Sequence, residues 1–236
     1  MEFVPDIVAH GSVPSCASEP IHIPGSIQPH GLLLLFDAES RKLVHWAGDF
    51  EPLLGVEPAA GCAAGQLLGA PLDALIWPHP IRDGEEPAYI GDLRPEGRAR
   101  LAMLAHRTGD FLAIELQPAG AETSATPALE QIRAISDRIA AAPTLVAACN
   151  TAGEQIRSIT GFDRVMIYRF LSDGSGSVIA EARAADAGTF FNHRFPSSDI
   201  PRQARDLYRR SLIRTIPDAA YRPMPITPVP HLPVEM

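Results

Sequence analysis

Apolar positions along this chain follow two different periods, and the change falls at residues 118–127. Before that stretch they come in short runs of strand length. Leu32-Leu33-Leu34-Leu35-Phe36 is followed by polar Asp37-Ala38-Glu39-Ser40-Arg41, and Lys42-Leu43-Val44-His45-Trp46 returns, which predicts a hairpin. Residues 50–75 carry short helical pieces, with Gly55 and Gly69 placed as C-caps. Strand candidates follow at 87–93, 99–106 and 111–117. After the stretch, Leu129, Ile132, Ile135 and Ile139 recur every three or four residues and predict a helix. Leu145, Cys149, Ala152, Ile156 and Ile159 predict a second, ended by Gly161. Arg164 to Phe170 reads as a strand, with Met166, Tyr168 and Phe170 on one face and Val165, Ile167 and Arg169 on the other. Ser172-Asp173-Gly174-Ser175-Gly176 is a turn, Ser177 to Arg183 the returning strand, and Ala204 to Leu212 a helix.

Pro5, Pro14, Pro20, Pro24 and Pro29 forbid a long helix at the start, so residues 1–28 read as an irregular arm. Residues 118–127 are small, polar and bounded by prolines, the composition of a linker. Two strands, short helices and three strands is the order of a PAS domain. Helices leading into an antiparallel sheet suggest a GAF-like domain. The expected class is α+β, with antiparallel sheets and flanking helices. Its parts are an arm at 1–28, a PAS domain at 29–118, a linker at 119–127 and a GAF domain at 128–236.

Composition narrows the function. Of 236 residues, 46% are hydrophobic and 20% charged, the balance of a soluble globular protein. A net charge of −8 argues against a general nucleic-acid binder, which needs clustered Lys and Arg. No apolar run approaches the roughly 18 residues of a membrane helix. Met1-Glu2-Phe3-Val4-Pro5-Asp6 lacks a signal-peptide pattern, so a cytoplasmic protein is expected. Cys16, Cys62 and Cys149 are odd in number and widely spaced, which gives neither a disulfide framework nor a zinc site. Cys62 and Cys149 lie on apolar patterns and read as small core residues. The Asp and Glu residues read as solvated faces. There is no Gly-x-Ser-x-Gly or His-Glu-x-x-His, and Gly174-Ser175-Gly176 lacks the Gly-Lys of a phosphate loop, so no enzyme is expected.

Two stretches are specific. One is Cys16-Ala17-Ser18-Glu19-Pro20-Ile21-His22-Ile23-Pro24-Gly25-Ser26-Ile27-Gln28-Pro29-His30-Gly31. The other runs from Gly161 to Phe170, through Glu181-Ala182-Arg183, to His193-Arg194-Phe195-Pro196-Ser197-Ser198-Asp199-Ile200-Pro201. Together they resemble the signatures of bacterial phytochromes. That family usually has Pro-Ala-Ser-Asp-Ile-Pro, where this chain has Ser197 for the Ala. The resemblance implies a light-sensing module that binds biliverdin, a linear tetrapyrrole, through a thioether.

A thiolate in a proline-rich arm has the access such a bond needs, and the resemblance assigns the attachment to Cys16. Met166 and Tyr168 read locally as core. The resemblance puts them in the pigment pocket, with Tyr168 near the isomerising ring D and Phe190 and Phe195 at other aromatic positions. Asp199, ahead of Ile200 and Pro201, reads locally as a helix-start residue. The resemblance turns its main-chain carbonyl toward the pyrrole nitrogens through a water. Tyr208 and Arg214 match positions near a propionate; locally, Arg214 between Ile213 and Ile216 reads as a solvated strand charge, or an interior clamp for a carboxylate.

The family's arm also threads a lasso from the GAF domain, a figure-of-eight knot in which Ile27 is packed. The chain stops at Met236, ahead of the further strands, pocket histidines, PHY domain and kinase of the family. A C-terminally truncated GAF domain is therefore expected. The resemblance further implies a homodimeric parent, an output histidine kinase and a response regulator. The competing reading is a pigment-free PAS-GAF module that binds another ligand or dimerises.

Overall fold

The computed structural model describes residues 21, 23, 25–69, 76–77, 81–83, 85–120, 125–210 and 213–228. Cys16 lies outside them. The expected α+β class with antiparallel sheets is found, in two compact units that divide the chain near residues 121 and 205.

The first unit begins with β1 (Ser26–Ile27), β2 (Leu32–Asp37) and β3 (Leu43–Ala47), then α1 (Phe50–Leu54) and α2 (Ala64–Leu68). It continues with β4 (Ala88–Leu93), β5 (Leu101–Thr108) and β6 (Phe111–Pro118). Its sheet has the order β3-β2-β6-β5-β4. The hairpin turn is built by Asp37, whose carboxylate accepts from Ser40 N at 2.7 Å and Ser40 Oγ at 2.6 Å. Gly55, at φ 73°, turns α1 off and donates to the carbonyls of Phe50 and Glu51. Leu32, Leu34 and Phe36 join a core with Leu43, Phe50, Met103, Ile114 and Leu116. Leu33 and Leu35 point to the other face and are buried there with Ala47, Ala113 and Ile226. A strand covered on both faces reads as a continuous apolar run, as β2 does.

His106 on β5 is 8% exposed, and its Nδ1 lies 3.5 Å from Glu115 of β6. Burial pushes the imidazole below its ordinary pKa, and the Glu115 charge opposes part of that shift. The folded state then holds this proton less readily than the unfolded chain. The stability it contributes is present above about pH 6.5 and is lost as pH falls toward the lowered folded value. Urea unfolding from about pH 7.5 to 5.5 is expected to show this loss. His106→Gln is expected to flatten the slope; an unchanged slope contradicts the assignment.

The second unit holds α3 (Ala125–Ala140), α4 (Leu145–Thr160), β7 (Arg164–Phe170), β8 (Gly176–Arg183) and β9 (Arg194–Phe195). Helix α5 (Arg202–Arg210) carries the chain from this unit back to the first. The stretch read as a linker is shorter than expected: β6 runs through Pro118 and α3 starts at Ala125. Pro127 sits in the first turn of α3, where its missing N–H has no helical partner to lose. Thr144 Oγ1 caps α4 by accepting from Ala147 N at 3.1 Å, and Gly161 closes it at φ 71°. Buried Gly153 brings α4 onto Ala182 of β8. The three-strand sheet has the order β7-β8-β9, leaving one edge of β7 unpaired among the described strands. Leu129, Ile132, Leu145 and Val146 are each more than half exposed.

Residues 206–210 and 213–228 pack with the first unit, although the sequence grouped them with the second. There β10 (Met224–Pro225) pairs antiparallel with β1. Trp46 N donates to Thr227 O at 2.8 Å and Thr227 N to Trp46 O at 2.7 Å, so the β3 edge is closed at that point. His45 Nδ1 lies 2.7 Å from Pro228 O, and Gln28 Nε2 donates to Thr215 O at 2.7 Å. Ile226 and Ile27 then cover Leu33 and Leu35. The arm, read as irregular through residue 28, thus contains a strand whose partner lies near the other end of the chain. The knot would be threaded by residues before Ile21, which lie outside those described.

Candidate functional site

Five rings gather on the β7–β8–β9 sheet. Tyr168 lies 5.1 Å from Phe170, edge to face, and 6.0 Å from Phe195. Phe190 lies 6.3 Å from Phe195 and 5.5 Å from His193. The Arg164 guanidinium stacks 4.3 Å over Phe190, and Arg205 lies 5.9 Å from Phe170. The structure therefore brings together Tyr168, Phe190 and Phe195 and adds Phe170. Tyr168 and Phe195 are half-buried; Phe170 is 43% and Phe190 37% exposed. Met166, opposite Glu181 in the ladder, is exposed.

The position of Tyr168 has two local causes. The ladder is irregular between Ile167 and Tyr168: Ile167 faces Ala180, but Tyr168 faces Val178. The bulge re-aims the side chain. Gly176 is the second cause. A Cβ at that position would overlap Cζ, Cε1 and Oη of Tyr168. The ring lies across bare backbone.

Phe190 is held by Glu181, which corrects the reading of the acidic residues as solvated. The Glu181 side chain is 3% exposed. It accepts from Thr189 Oγ1 at 2.6 Å and from Phe190 N at 3.1 Å, and it pairs with Arg164 Nε at 3.3 Å. The Thr189 hydroxyl, then the Phe190 and Phe191 amides and Arg164, hold its carboxyl below the ordinary range. Arg164 Nη2 donates onward to Gly188 O at 2.6 Å. A charged carboxylate thus fastens the 188–191 turn to β8. Glu181 and Arg164 were missed as site residues. The available signal was the hairpin register, which sets Glu181 opposite Met166 and so diagonal to Arg164.

Asp199 does not cap α5. The helix starts at Arg202, and Pro201 O accepts the first helical bond from Arg205 N at 3.1 Å. Asp199 lies two residues earlier in an exposed turn, where its N–H donates to Pro196 O at 3.2 Å. Ile200 and Pro201 are half-buried. Arg205 Nη1 donates to Ile200 O at 2.7 Å and to Gly174 O at 3.1 Å, joining this turn to the β7–β8 turn.

Tyr208 and Arg214 fall in the first unit. Both are exposed, with Arg214 5.8 Å from the Tyr208 ring. The interior setting expected of Arg214 is absent, because Ile213 is 84% and Ile216 67% exposed and no strand forms there. Cys62 and Cys149 are half-buried rather than fully buried. No described helix is long and apolar enough to cross a membrane.

An open cleft of about 450 Å³ is lined by Glu154, Arg157, Glu181 and Arg183. Its walls carry charge and no ring. The aromatic cluster is a different kind of surface: apolar faces, one phenol and two guanidinium groups at its margin. The ring faces suit a flat conjugated molecule.

A family model described as a PAS fold matches residues 16–119. A bacteriophytochrome of Xanthomonas campestris pv. campestris is 34% identical over 92% of this chain and 34% of its own length. Cyanobacterial phytochrome B of Nostoc sp. is 30% identical over 91% of this chain and 30% of its own length. The chain thus spans about a third of these curated relatives. Among solved structures, the chromophore-binding domain of an unusual bacteriophytochrome from R. palustris matches with a TM-score of 0.78 and 34% identity. That match covers 94% of this chain and 74% of the other.

Proposed function

Because the chain belongs to the bacteriophytochrome family, we propose that it is a photosensory module that holds biliverdin against the aromatic cluster of its second unit. The observation that carries this reading is the assembly of Tyr168, Phe190 and Phe195 on one sheet, with Phe190 fastened through Glu181 and Arg164. Their faces supply apolar contact for a conjugated pigment, and the Tyr168 hydroxyl supplies a hydrogen bond. The pigment supplies the light absorption and the double bond that isomerises.

The remaining roles belong to the same proposal. Cys16 would hold the pigment, its thiolate supplying the sulfur of a thioether. Met166, Ile200 and Pro201 line the site. Asp199 presents its carbonyl to the cationic pyrroles. The parent is a cytoplasmic homodimer that passes the change to a histidine kinase and response regulator. Catalysis belongs to that kinase, and nucleic acid and membrane have no part in the module's action.

The attachment is tested by co-producing Cys16→Ala with biliverdin. Wild type is expected to keep pigment through denaturing electrophoresis and the variant to lose it. A pigmented band surviving in the variant contradicts the assignment.

The exposed Leu129, Ile132, Leu145 and Val146 favour a second reading, a pigment-free module that dimerises through α3 and α4. It predicts no far-red absorbance after incubation with biliverdin.

A further inference from the structure

We propose that Arg205 is the positioning residue of the pigment site, one that sets the Asp199–Pro201 turn without touching pigment itself; this rests on the photosensory reading above. One guanidinium nitrogen donates to two carbonyls on different segments, Ile200 O at 2.7 Å and Gly174 O at 3.1 Å. Arg205 is half-buried, and its guanidinium lies 5.9 Å from the Phe170 ring. The turn that carries Asp199 is therefore tied to the β7–β8 turn, whose flanking strands carry Tyr168 and Gly176.

Gly174 completes the seam from the other side. Its φ of +82° disfavours any side chain. A Cβ there would also come 3.2 Å from Ser197 Cβ and 3.3 Å from Arg205 Nη2. Two features that read separately in sequence, a turn glycine and a helical arginine, thus meet at one contact.

The chemistry follows from the carbonyls. Arg205→Gln removes the charged donor, and neither Ile200 O nor Gly174 O keeps its partner. The Asp199 carbonyl, one peptide away, is then no longer held in place. A protonated pigment depends on fixed acceptors near its nitrogens, so a wandering carbonyl favours proton loss. Lysine keeps a charge but not the forked planar geometry, and is expected to fall between.

The test compares the full chain with its Arg205→Gln and Arg205→Lys variants. Without pigment, amide exchange at Asp199, whose N–H is bonded to Pro196 O, is expected to accelerate roughly tenfold in Arg205→Gln and less in Arg205→Lys, while β5 and β6 are unchanged. With biliverdin, the Cys16 adduct is expected to form in all three. The pH at which the bound pigment loses its proton is expected to fall by about one unit in Arg205→Gln. Unchanged exchange in both variants overturns the clamp. Faster exchange with an unmoved pH midpoint overturns its role toward pigment. If wild type takes up no pigment, the photosensory reading fails, and the exchange comparison still decides whether the clamp exists.

Discussion

Gly176→Ala is expected to expel the Tyr168 ring from its place across β8. The added methyl would occupy the space now held by Cζ, Cε1 and Oη of Tyr168. Gly176 cannot yield easily, because it is buried and paired with both Phe170 and Phe195 in the ladder. The ring must move, and with it the edge-to-face contact with Phe170 and the contact with Phe195. Overpacking of this kind costs about 1–3 kcal/mol. Thermal unfolding of the full chain is expected to register that loss. Near-ultraviolet circular dichroism is expected to change with the tyrosine environment. A double-mutant cycle isolates the cause. In a Tyr168→Ala background the same substitution is expected to cost no more than about 0.5 kcal/mol. An equal cost in both backgrounds contradicts the contact.

Ile226→Ala is expected to have a larger effect on stability, in the first unit. Ile226 is 2% exposed and closes the outer face of the sheet over Leu33, Leu35, Ala47 and Ala113. Truncating a buried isoleucine costs about 2–5 kcal/mol. Ile226→Asp is expected to cost more, since it sets a carboxylate among aliphatic side chains. It is also expected to release the segment that pairs with β1 and β3. Amide exchange at Trp46 and Thr227, which bond to each other, reads that release directly. Leu34→Ala, a truncation on the opposite face of β2, is expected to lower stability without singling out those two amides. If Ile226→Asp leaves both protected, the segment is not held by its isoleucine.

The parts of the fold that were legible share one property: their partners are close in sequence. The Leu32–Trp46 hairpin carries its own turn, and α4 its own cap and terminal glycine. The β1–β10 pairing had no such signal. Ser26–Ile27 is too short for a period and sits among prolines. The continuous run Leu32–Leu35 did carry a hint, because a strand exposed on one face would alternate; the cover over Leu33 and Leu35 comes from Ile27 and Ile226. The aromatic cluster was legible to a similar degree. Alternation placed Tyr168 and Phe170 on one face, but the bulge that aims Tyr168 depends on the register with β8. Phe190 and Phe195 were identified by resemblance, not pattern. Glu181 alternates along β8 as a solvated acid would, and its bonds come from the 188–191 turn, which the alternation does not show. Arg214 between two isoleucines suggested an interior, yet both isoleucines are exposed.

The proposed pigment site is tested most directly by adding biliverdin to the full chain and recording its absorbance before and after red light. The account predicts a red to far-red band absent from free pigment, altered by red light and restored by far-red light. A spectrum identical to free biliverdin, or a bound band that light leaves unchanged, contradicts it.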